Sequence, residues 1–284
     1  MLCLVAGACL GQQATAPTTQ PPGPPAAGAR ILLLPKKLVS GERATLAVLD
    51  LGGRLTPGVK VNFSNGDTLT TDASGRAVFV APLTTGPIYA SIEGRAGKVA
   101  STVVSATESP TSSMEVELSP RVVSLSDRLE VSGHGFCGDA DSNKVRMGGL
   151  AGLVIAASPA WLAVVPSPEQ TPGPASVQIA CGQKNVQPFT VVFVNLELEA
   201  SSAPLAPAEH REVLVRIKGS TAKLRVEARN LAADVAELQG GAKTVRVMST
   251  GGAENVAKFE LIGKKNGSFV VSIRLVAVPE MPQR

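Results

Sequence analysis

The sequence predicts an all-β chain: β-sandwich domains in tandem behind a disordered, Pro-rich N-terminal segment. Three observations predict it. Apolar and polar residues alternate with a period of two in many short runs, as a strand with one buried face requires. Those runs are separated by Gly-, Asn-, Asp- and Pro-containing turns at close spacing, drawn from 28 Gly and 21 Pro in 284 residues. Hydrophobic residues make up 44% and charged residues 18%, enough apolar material to build cores.

Residues 1–11 form a signal-like segment. Met1–Leu10 is apolar but too short to span a bilayer, and it ends in the small residues Ala6, Gly7 and Ala8. It lacks a positively charged start, which suggests that a few residues precede Met1. Cys9 follows the small residues as in a bacterial lipoprotein box, although Ala6 stands where that pattern carries Leu. Ordinary secretion is the first expectation, lipidation of Cys9 the second, and a start without meaning the third. Residues 12–29 hold Pro17, Pro21, Pro22, Pro24 and Pro25 and no charge, and read as an extended spacer.

Residues 30–106 form the first strand-rich block. Val59, Val61 and Phe63 alternate with Lys60, Asn62 and Ser64, and Ile88, Ala90 and Ile92 with Tyr89, Ser91 and Glu93. The runs Gly41–Val48, Asp50–Gly53, Pro57–Phe63 and the turn Thr71-Asp72-Ala73-Ser74-Gly75 together resemble the bacterial immunoglobulin-like repeats of invasins and related surface proteins. The resemblance covers most of the block and implies a rod or spacer module. Residues 107–113 are polar with Pro110 and read as a linker.

Residues 114–194 form the second block. Its order is Ser119-Pro120, a strand, Gly133-His134-Gly135-Phe136, a strand, Gly148-Gly149, the strand Trp161–Val165 ending at Pro166, then Gly173 and two closing strands. This resembles the IPT/TIG immunoglobulin-like domain, so the tandem sandwiches are expected to be immunoglobulin-like. Trp161, Ala163 and Val165 alternate and read as inward. Cys181 shares parity with Val177 and Ile179 and is expected to face the core. A bridge to Cys137 would close a loop of roughly 45 residues and add about 4 kcal/mol on the loop-entropy argument. The alternative is two buried thiols; the export-like start favours the bridge. Asp139, Asp141 and Asn143 offer three oxygen side chains at alternate positions, a weak Ca²⁺ pattern. Lys144 and Leu150 stand where an EF-hand needs Gly and Glu, so a polar loop is the better reading and no metal or cofactor is expected.

Residues 195–284 form a third sandwich-like domain. Val213, Val215 and Ile217 alternate, as do Phe269, Val271, Ile273 and Leu275, and Leu224, Val226 and Ala228 alternate with Lys223, Arg225, Glu227 and Arg229. Leu231, Val235 and Leu238 have helical spacing before Gly240-Gly241, which suggests a turn or two of helix. The nearly unbroken Phe189–Leu198 run suggests that the second and third modules pack closely.

The chemistry expected of this chain is sparse. It has two histidines, His134 and His210, neither beside a nucleophile-elbow motif. A net charge of +4 with 3% aromatics lacks the concentrated basic face and stacking platform of a nucleic-acid binder. Trp161 and Tyr89 are the candidates for a sugar platform. The expected function is non-catalytic: an exported, periplasmic or cell-surface protein with a structural, adhesive or scaffolding role, a rod of modules on a Pro-rich stalk. Its partner would be an envelope protein or glycan, without nucleic acid, and with a membrane only through a lipid on Cys9. A polysaccharide-binding accessory protein is the alternative, and an enzyme of unknown class the last.

Overall fold

The computed structural model describes residues 30–106, 113–199, 205–267, 269–276 and 279–281. The signal-like segment, Cys9 and the Pro-rich spacer lie outside them, as do residues 107–112. The described chain is built of strands in three sandwich modules, each with its own apolar core. No helix among the described residues is long and apolar enough to cross a membrane.

Module 1 contains β1 (Arg30–Leu33), β2 (Lys37–Val39), β3 (Arg43–Asp50), β4 (Lys60–Phe63), β5 (Thr68–Thr70), β6 (Arg76–Val80), β7 (Gly86–Ile92) and β8 (Lys98–Val104). Strands β1, β3 and β6 form one sheet and β2, β8, β7, β4 and β5 the other. Leu46, Val48, Val61, Phe63, Ile88 and Ala90 fill the space between them. The alternating sets of β4 and β7 therefore point where a period of two puts them, into the core.

Module 2 contains β9 (Glu115–Pro120), β10 (Val122–Ser124), β11 (Leu129–His134), β12 (Asn143–Met147), β13 (Leu150–Ser158), β14 (Trp161–Val165), β15 (Gly173–Cys181), β16 (Lys184–Asn185) and β17 (Phe189–Glu199). Strand β13 passes from one sheet to the other. Its first residues pair with β12 and its last with β14. Leu129, Val131, Met147, Leu162, Val164, Val177, Ile179 and Phe193 make the core.

Module 3 contains β18 (His210–Lys218), β19 (Arg225–Asn230), β20 (Ala236–Leu238), β21 (Thr244–Met248), β22 (Val256–Gly263) and β23 (Val271–Leu275); the short β24 (Pro279–Glu280) after it pairs with β9 of module 2. One sheet has the order β17-β18-β22-β20 and the other β21-β19-β23, with Val215, Ile217, Val226, Leu238 and Phe259 between. The helix suggested after Asn230 does not form. Ala236 and Leu238 are buried on either side of Glu237 and pair with β22, so a period of two holds there. The short-range helical spacing loses to a sheet edge that supplies backbone partners.

Modules 1 and 2 do not form a beaded rod. The β1-β3-β6 sheet joins the β13-β14 sheet through an antiparallel pair of β3 with β13 at Thr45 and Ala157, and Leu33, Ala47, Leu49, Ile155, Ala156, Trp161 and Ala163 make a fourth apolar cluster there. Trp161 is 1% exposed. Its set is inward in the molecule but outward in its own module: Leu162 and Val164 serve the module's core, while Trp161 and Ala163 serve the seam. A bulge in β13 between Val154 and Ala156 places two successive residues, Ile155 and Ala156, on the seam.

Polar contacts lock the seam. Thr45 Oγ1 donates to Gly138 O at 2.8 Å and accepts from Ala140 N at 3.0 Å. Ser158 Oγ donates to Lys37 O, and Arg76 donates to Val154 O while pairing with Asp141 at 2.8 Å. Gly138 lies so close to module 1 that a Cβ there would sit 1.7 Å from Arg43 O.

The second junction is covalently continuous. Phe189–Phe193 of β17 pair with β15 in module 2, and Asn195–Glu199 of the same strand pair with β18 in module 3. Gly219, at φ +97°, packs so tightly on this junction that a Cβ would meet Phe193 O at 2.5 Å. A single strand that belongs to two sandwiches leaves no linker between their cores.

Candidate functional site

The strongest site geometry lies on the outer face of the β21-β19-β23 sheet. Val226 and Ala228 of β19 point into the core, so Arg225, Glu227 and Arg229 point out. Antiparallel register then sets Arg246 of β21 and Arg274 of β23 directly opposite Glu227, one on each side. The three form a row across the sheet. Glu227 Oε2 accepts from Arg246 Nε at 2.7 Å, and Oε1 accepts from Arg274 Nε at 2.8 Å and Nη2 at 2.6 Å.

The two guanidinium groups cover the carboxylate. The Glu227 side chain is 3% exposed, whereas those of Arg246 and Arg274 are 59% and 62% exposed. Hydrogen bonds from Arg246 first, and then from Arg274, hold the Glu227 carboxyl below the usual glutamate range against the opposing effect of burial. Glu227 therefore stays ionised and fixes both guanidinium planes.

The row forms part of the wall of an open cleft of about 910 Å³, to which Arg229, Lys243, Thr244 and Leu231 also contribute. Arg229 and Lys243 are exposed and have no carboxylate partner among the described residues. Four cations and one neutralised carboxylate leave the wall at net +3. No sequence motif announces this cleft. Its only sequence signal is the Arg225-Glu227-Arg229 alternation; Arg246 and Arg274 arrive through register, 19 and 47 residues away.

The residues singled out in the sequence fall elsewhere. Cys137 and Cys181 form a disulfide with a Cα–Cα distance of 5.9 Å, beside the module 2 core. Asp139, Asp141 and Asn143 share one loop, but each has other work. Asp139 Oδ1 accepts from Asp141 N, Asp141 pairs with Arg76 across the seam, and Asn143 uses its carboxamide on the backbone of Cys137 and Asp139. Among the described residues no group of three or more His, Cys, Asp or Glu side chains is placed to hold a metal ion. Tyr89 is 45% exposed, and Trp161 is sealed in the seam.

His210 pairs with Glu260 at 2.8 Å on an exposed strand. His134 lies between Glu117, 3.3 Å from Nδ1, and Ser113 Oγ, 3.3 Å from Nε2. This Ser-His-Glu order comes from the pairing of β9 with β11, which flanking motifs could not reveal. Ser113 is exposed, and none of the three residues lines the cationic cleft.

No protein-family model matches this sequence, and no curated protein matches it. Among solved structures the chain is similar to SGBP-B of the Bacteroides ovatus mixed-linkage glucan utilization locus, solved with a mixed-linkage heptasaccharide. The identity is 12% over 85% of this chain and 73% of that one, with a TM-score of 0.32. It is also similar to domains 1–6 of the surface layer protein SbsC, at 13% identity over 89% of this chain and 40% of that one, with a TM-score of 0.21. The BSP domain of a biofilm associated protein matches at 13% identity over 60% of this chain and 30% of that one, TM-score 0.28. TM-scores of 0.21 to 0.32 transfer no ligand and no role to this chain.

Proposed function

We propose that this chain is a non-catalytic, exported cell-envelope protein with a structural or scaffolding role. The observation that carries the reading is the Cys137–Cys181 bridge. Its Cα–Cα distance of 5.9 Å suits a disulfide, and such bonds form and persist in oxidising compartments. The construction supports a load-bearing part: a strand pair and a shared apolar cluster join the first module to the second, and a shared strand joins the second to the third. Module 1 is read as a bacterial immunoglobulin-like domain and module 2 as an IPT/TIG domain. Tethering would come from a lipid on Cys9. A glycan-binding accessory role stands second, on the cationic cleft of module 3.

The test is mass spectrometry of the protein from its native host, alkylated with and without prior reduction. Cys137 and Cys181 should take label only after reduction, on a chain whose N-terminus has been processed. Free thiols on an unprocessed chain would overturn the envelope reading.

A further inference from the structure

We propose that the cleft on module 3 binds an acidic polysaccharide, through the carboxylates or sulfates along its chain. Arg246 and Arg274 are held in place by Glu227, so little side-chain freedom is lost when an anion meets their outward N–H groups. Arg229 lies two residues along β19 on the same face, diagonal to both, and Lys243, the residue before β21, lies across from Asn230 and lines the same cleft. Residue positions on such diagonals are roughly 7–8 Å apart along the backbone. Arg229 and Lys243 extend the cationic surface beyond the Arg246–Glu227–Arg274 row, which suits a string of separate acid groups better than one compact ion. The Thr244 hydroxyl, opposite Arg229, is exposed and free among the described residues to meet a sugar hydroxyl.

Other polyanions fit less well. No aromatic side chain lines the cleft, so bases have nothing to stack on. The site is concave, and Leu231 is its one large exposed apolar side chain, poor equipment for a flat lipid surface. Neutral glycans usually need an aromatic platform, and Trp161 is sealed in the seam. Charge is what this cleft offers, and charge complementarity selects an acidic glycan.

This ligand class deepens the envelope role proposed above. Binding is measured on the purified chain, so a failure there leaves the compartment and scaffold reading to its own thiol test. Heparin oligosaccharides and alginate oligo-uronates are titrated by calorimetry, beside a neutral glucan, a DNA oligonucleotide and anionic phospholipid vesicles. The wild type should bind one or both acidic glycans, more weakly as salt is raised. The double variant Arg229→Glu/Lys243→Glu touches no ion pair and should keep its unfolding midpoint. It should lose affinity by about tenfold or more. The variant Lys98→Glu/Lys144→Glu makes the same change in net charge on other modules and should stay within about twofold. The proposal is overturned if the wild type binds neither acidic glycan, if both double variants lose affinity equally, or if DNA or vesicles bind more tightly than the glycans.

Discussion

Replacing Gly138 by Ala should open the seam between modules 1 and 2 before either module unfolds. The added Cβ would stand 1.7 Å from Arg43 O, and that obstacle is backbone rather than a flexible side-chain end. A normal contact requires the loop to retreat by roughly 1.5 Å or more. That retreat breaks the bonds from Thr45 Oγ1 to Gly138 O and from Ala140 N to Thr45 Oγ1. Ala140 is 2% exposed, so its N–H would be left buried and unpaired at a cost of about 1–3 kcal/mol. Overpacking adds about 1–3 kcal/mol. The sum, about 2–6 kcal/mol, is a large share of the ~5–15 kcal/mol that holds a typical domain folded. Trp161 is the chain's single tryptophan and lies in the seam, so its fluorescence reports this interface directly. In urea titrations of Gly138→Ala, Trp161 emission should shift to the red well before the far-ultraviolet circular dichroism of the sheets is lost. If the variant keeps the wild-type midpoint by both probes, the close approach at Gly138 does not hold the modules together.

Two further outcomes follow from the same geometry. Cys137→Ser/Cys181→Ser should lower stability by about 2–5 kcal/mol in equilibrium unfolding, and a dithiothreitol-treated wild type should match it; equal midpoints for oxidised and reduced protein would argue against the bridge. Glu227→Gln should cost about 1–2 kcal/mol, less than a fully buried pair because both arginines are largely solvated. The folded-state pKa of Glu227 is depressed, so its contribution is complete above the ordinary glutamate value and disappears as pH falls through the lower folded value. Below that window the wild type and Glu227→Gln should converge in midpoint, and a gap that persists unchanged in acid would remove Glu227 from the account.

Parity was the most informative signal in this sequence. It places Val59, Val61 and Phe63, and likewise Ile88, Ala90 and Ile92, in the module 1 core, and it brings Cys181 beside the module 2 core with its partner. Parity says which residues share a face, but not what covers that face. Trp161 and Ala163 thus read as core of their own module and are instead covered by module 1. A local clue did exist. Ala44–Leu49 and Val154–Ala157 carry apolar or small residues on both faces, as strands buried on both sides do. The cleft had less to announce it. Glu227 resembles any solvent-facing acid on an alternating strand, and its burial depends on register with β21 and β23, which no short window contains.

The two junctions also bear on how the cleft would work. A binding face on a flexible string samples many directions, and each encounter must fix that freedom again. Here the strand that closes module 2 is the first strand of module 3, and Gly219 packs against its midpoint. Module 2 is in turn held to module 1 by the Trp161 cluster and the Arg76–Asp141 pair. The cleft wall is therefore fixed in direction with respect to β1, where the described chain begins. A tether attached before Arg30 would orient the cationic face as well as retain it, so opening the seam should weaken presentation of the cleft at a surface while leaving the isolated binding reaction unchanged.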